Sequence, residues 1–128
     1  MRVFVVLACF VLTACSSSSV YNPPPVSAPD AEAANKAAKK ASNEEKLVGS
    51  VEVSAVREAY SASPGPYILC LRGAESATAP RRTYAVFFKN NDYVAARMSV
   101  MIDSCEAQAF TPLGTGPFPP PPDKAKGK

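Results

Sequence analysis

The chain has 128 residues, 47% of them hydrophobic and 20% charged, with a formal net charge of +3. That length supports one small domain, and so weak a positive balance argues against nucleic acid as a partner. The sequence contains no His and no Trp, and losing His removes the commonest general base, metal ligand and triad member.

The chain opens on Met1-Arg2, then an unbroken apolar run over residues 3–12, then Leu12-Thr13-Ala14-Cys15-Ser16. A positive start, a short apolar core and small residues before a cleavage point form a secretory signal. The run is too short to span a bilayer, which takes about 20 apolar residues. Leu12-Thr13-Ala14-Cys15 resembles the lipobox of bacterial lipoproteins: a leucine, two small residues and a cysteine. The resemblance implies that residues 1–14 are a cleaved signal peptide. It also implies that the Cys15 thiol carries diacylglycerol and that the new amino terminus is acylated. Ser16 is not the aspartate that retains such proteins in the inner membrane, so the outer membrane, facing the periplasm, is implied. Three acyl chains exceed the two signals that stable anchoring needs. The general layout is similar to that of small envelope lipoproteins of Gram-negative bacteria, a likeness that implies no activity.

Cysteine usage follows from that compartment. Cys9 leaves with the signal and Cys15 carries lipid, so Cys70 and Cys105 remain as an even pair where disulfides persist. A Cys70–Cys105 bridge is expected in preference to two buried thiols, because small exported domains rely on such links.

Residues 15–46 read as a Ser-, Pro-, Ala- and Lys-rich disordered tether. Within it, Asp30 is placed to cap a helix carrying Glu32 in its first turn, and Ala gives fair propensity. No large apolar residue occurs before Leu47. The segment is therefore expected to be a fraying helix within the linker. Residues 47–113 hold the apolar content and form the expected domain. Residues 54–60 suit one or two helical turns capped by Ser54. Ser-Pro-Gly-Pro, at 63–66, is a turn. Residues 67–72, 82–89 and 93–103 are expected strands.

The hairpin between the last two strands turns at Asn90-Asn91-Asp92, residues that tolerate positive φ. A two-residue loop sends the apolar sets of the strands to opposite faces. A three-residue loop pairs Phe88 with Val94, Val86 with Ala96 and Tyr84 with Met98, separating apolar from polar. The expected fold is thus α+β or mostly β: a three-stranded antiparallel meander, a helical or extended cover from residues 47–60, and one disulfide. Residues 114–128 are an expected Pro-rich disordered tail, with a polyproline II stretch at Phe118-Pro119-Pro120-Pro121-Pro122.

The chemistry-bearing residues are sparse. Asp103 and Glu106 flank Cys105 but show no diagnostic spacing. The cysteines form no Cys-x-x-Cys motif, no cluster has metal-ligand spacing, and no Gly-rich loop follows a strand. No catalytic residue, cofactor or metal is expected. Phe87, Tyr93 and Arg97 share the more polar face of the predicted meander and form a candidate partner surface. Arg72, Arg81 and Arg82 sit at strand ends. The expectation is a non-enzymatic binding or structural role, with the membrane engaged through Cys15 and an envelope protein as partner. The alternatives are an inhibitor or immunity lipoprotein that blocks an exported enzyme and, third, a small periplasmic hydrolase using Asp103 or Glu106.

Overall fold

The computed structural model describes residues 20–114, apart from Ser76 and Ala79. The expected signal segment 1–14, the lipidation residue Cys15 and the Pro-rich stretch 118–122 lie outside the described residues. In chain order come helix α1 (Ala31–Glu44) and strands β1 (Glu52–Ser54), β2 (Arg57–Glu58), β3 (Tyr67–Arg72), β4 (Thr83–Lys89) and β5 (Asp92–Met98). Two 3-10 turns follow (Met101–Asp103 and Cys105–Ala107), then β6 (Phe110–Pro112). The strands make one antiparallel sheet in the order β5-β4-β3-β1-β6, with β2 also paired to β3. The antiparallel sheet, one helix and the Cys70–Cys105 bridge match expectation, but the sheet has six strands, not three.

Helix α1 is the cover, and it corrects two expectations. Ala34, Ala37, Ala38 and Ala41 are buried, at the i, i+3, i+4, i+7 spacing of one helix face. They lie against Leu69, Leu71, Tyr84, Val86 and Phe88. Small side chains let the helix sit close to the sheet, so no large apolar residue is needed. The helix is therefore neither a fraying part of a 15–46 linker nor outside a domain that begins at residue 47. Its start is fixed. Asp30 Oδ1 accepts from Ala33 N at 2.8 Å as an N-cap. The Asn91 side chain donates to Asp30 Oδ2 at 2.8 Å and accepts from Asp30 N at 3.0 Å. Ser27 N donates to Asn90 Oδ1 at 3.0 Å.

Residues 47–60 do not cover the sheet; they join it as β1 and β2. Ser54 is no helix cap. Its hydroxyl is buried between strands, accepting from Cys70 N at 2.8 Å and donating to Ala55 O at 3.1 Å.

The β4–β5 hairpin combines both registers considered above. At the tip, Lys89 pairs with Asp92 and Phe88 with Tyr93 around a two-residue turn, with Asn90 at φ 55°. Beyond it, Phe87 pairs with Ala95, Val86 with Ala96 and Tyr84 with Met98. Val94 is the extra residue, a β-bulge that restores the expected pairing for the rest of the strand. β5 stops at Met98 rather than near 103. Ser99 N still donates to Thr83 O at 2.9 Å, after which the 3-10 turns carry the chain onto the sheet face opposite α1. There Cys105 joins Ile68, Cys70, Ala85 and Phe87 in a second buried cluster. Both faces of the central strands are thus covered.

Candidate functional site

The expected partner surface does not assemble. Phe87 is fully buried beside the disulfide, with the Arg97 guanidinium 5.0 Å from its ring centroid. Tyr93 is on the other face, because the Val94 bulge pairs it with Phe88. It packs toward α1, with Lys40 Nζ 4.5 Å above its ring. Its hydroxyl donates to Glu44 Oε2 at 3.0 Å. Burial, then that hydrogen bond, pushes the Tyr93 phenol up to about 12.

Arg72, expected at a strand end, is also engaged. Its Nε donates to Glu52 Oε2 at 2.6 Å, and its guanidinium stacks 4.0 Å from the Phe110 ring centroid. This hydrogen bond holds the Glu52 carboxyl below its usual range. Arg81 is 3.8 Å from the same carboxylate. Arg82 is exposed.

The densest polar arrangement centres on Asp103. Its side chain is buried, and Arg97 grips it with two bonds, Nη1 to Oδ2 at 2.7 Å and Nη2 to Oδ1 at 2.9 Å. Val100 N also donates to Oδ2 at 2.9 Å. The Asp103 carbonyl accepts from Arg57 Nη2. Burial pulls the Arg57 guanidinium below its usual range, and the Asp103 charge opposes this. Ser104 then takes a left-handed conformation at φ 50°, and Cys105 is tied to Cys70 in β3. Glu106 is exposed, so Asp103 and Glu106 do not face one site as a carboxylate pair.

What this lock holds out is apolar. Met98, Val100, Met101 and Ile102 are all exposed, Met101 at 91%. Continuing the Thr83–Ser99 bond by one register position brings Arg82 alongside Val100. This surface was missed because Val100 and Ile102 read as the inner face of a longer strand. The available signal was three apolar residues in a row, which an alternating strand cannot all bury.

Open grooves also mark the described surface, one of them, of about 170 Å³, lined by Glu45, Leu47, Arg82 and Tyr84 among others, and two of them larger. One, of about 430 Å³, lies between α1 and the hairpin tip and is lined by Asp30, Lys36, Lys40 and Tyr93 among others. The other, of about 580 Å³, is edged by Tyr60, Pro64, Tyr67 and Lys89. Among the described residues no group of His, Cys, Asp or Glu could hold a metal ion, and no helix is long and apolar enough to cross a membrane. The chain matches no family model, no curated protein and no solved structure.

Proposed function

We propose that the chain is a lipid-anchored protein of the bacterial cell envelope, on the periplasmic side of the outer membrane, that acts by binding rather than by catalysis. The observation that carries the binding role is the state of Asp103. The carboxylate best placed to serve as an acid or base is buried, and both its oxygens are held by Arg97 and Val100 N. A carboxylate so buried and engaged fixes a loop rather than facing a substrate. The Cys70–Cys105 bridge supports an oxidising compartment. The Leu12-Thr13-Ala14-Cys15 motif supports the anchor.

The test is the intact mass of protein extracted from bacterial membranes, with and without alkylation in the absence of reductant. The expected mass is that of residues 15–128 plus a diacylglyceryl and an acyl group, with no alkylation. A full-length mass with reactive thiols overturns the anchor and the compartment together. The binding role is tested by complementing a deletion strain with Glu106→Gln, which is expected to rescue fully. Failure to rescue, with the fold intact, returns catalysis to the account. Recovery of a tight one-to-one complex with an exported enzyme selects the inhibitor reading.

A further inference from the structure

The loop after β5 is organised against the usual trend. Apolar side chains exposed to water are unfavourable, and a free loop would turn them inward. Here the backbone is held so that it cannot. The Arg97 fork, the Val100 amide and the Arg57 bond all converge on Asp103. The left-handed Ser104 and the Cys105 bridge close the far side. A non-glycine residue in that conformation persists only where its surroundings over-determine it, and such positions gather at functional sites. These restraints together present Val100, Met101 and Ile102 to the outside.

We propose that this loop is a second membrane contact, which inserts Val100, Met101 and Ile102 at the headgroup–acyl boundary of an anionic leaflet. Arg82, set opposite Val100 by the β4–β5 register, is exposed to meet lipid phosphates. The proposal rests on the reading of the chain as lipid-anchored. Charge complementarity argues for this occupant. The acidic group inside the loop, Asp103, is withdrawn onto Arg97, whereas Arg82 faces solvent. Glu106, on the next turn, is the nearest exposed acid in the sequence. The chemistry of the loop argues the same way. Its tip is aliphatic and has no aromatic residue, whereas the anchors of protein interfaces are mostly Trp, Tyr and Arg seated in pockets. A bilayer needs no complementary pocket.

The covalent reach permits it. Among the described residues the chain is held at Val26, whose carbonyl accepts from the Tyr67 hydroxyl, and at Ser27, beside Asn90 at the hairpin tip. The loop is at the other end of β4, a strand of seven residues and about 23 Å long. The roughly twelve residues from Cys15 to Ser27 extend up to about 40 Å, enough for both ends of the sheet to reach one surface.

The absence of Trp makes the test direct. Lipidated, full-length mature protein carrying Met101→Trp is reconstituted into phosphatidylethanolamine–phosphatidylglycerol vesicles containing brominated acyl chains. The expected result is a blue-shifted emission quenched about twofold or more, weakened by Arg82→Ser and by salt. A Lys89→Trp protein, labelled at the hairpin tip, should stay unquenched. A solvent-like, unquenched Met101→Trp emission overturns the proposal. So does a blue shift that grows with protein density without bromine quenching, which assigns the loop to a second copy. The intact mass of the same sample reports the Cys15 lipid separately, so failure of the anchor and failure of the loop contact are distinguishable.

Discussion

Asp103 shows how one side chain can decide a surface. Three donors converge on its carboxylate, and two of them belong to Arg97, whose side chain is 34% exposed. Removing the charge leaves a partly buried guanidinium without its counter-ion, which is where buried pairs become costly. Asp103→Asn is expected to lower stability by about 3 kcal/mol, the low end for buried pairs because Arg97 is partly solvated. Urea unfolding of the oxidised protein measures it, and a loss under about 1 kcal/mol would show that the pair is a surface pair in effect. Tyr93 gives a residue-scale prediction in pH. Its folded pKa is raised from 10.0 to about 12 by burial and by Glu44. The raised value means that the associated stability is complete below pH 10 and is lost as pH rises through 12. Tyr93→Phe should flatten the stability profile across that window. Wild-type protein with no decline there, relative to the variant, would show that the phenol is not held by Glu44.

At the scale of elements, the legible and the illegible parts have separate physical causes. The strands β3 and β4 stand out in sequence because β-branched and aromatic residues cluster there, and their bounds follow closely. The hairpin was half legible. Two-residue and three-residue loops were each correct over part of its length, because Val94 bulges out and lets Tyr93 join the α1 face while Ala96 and Met98 keep their partners. No pattern of alternation announces a bulge. The α1 interface was legible in spacing, at Ala34, Ala37, Ala38 and Ala41, yet a search for large apolar residues passes over it. The short strands β1, β2 and β6 were not legible, since two or three residues carry too little periodicity. The alanine face makes its own prediction. Ala38 is fully buried against the sheet, so Ala38→Leu must push helix and sheet apart. It is expected to cost about 1–3 kcal/mol, read by thermal unfolding. A neutral or stabilising result would mean that a void lies under the helix.

For the molecule as a whole, the two faces of the sheet are closed by different means. One is covered by α1 through local, helix-driven packing; the other is covered by turns that carry a buried ion pair and a covalent bond. The bridge joins residues 35 apart, and closing a loop of that size is worth about 4 kcal/mol on the chain-entropy account. That is a large share of the roughly 5–15 kcal/mol available to a domain. The loss on reduction should also be uneven. The α1 face does not depend on the bridge, whereas the turns at Met101–Asp103 and Cys105–Ala107 have β3 as their covalent tie. Native-state hydrogen exchange on the reduced protein is therefore expected to deprotect the amides of Asp103 and Ser104, which donate to Val100 O and Met101 O, before those of β3 and β4. The same treatment should abolish lipid quenching of Met101→Trp, because a loop freed from Cys105 can turn its apolar side chains inward. If the turns stay protected after reduction, the Arg97–Asp103 fork alone holds the surface, and the disulfide acts only on the unfolded chain.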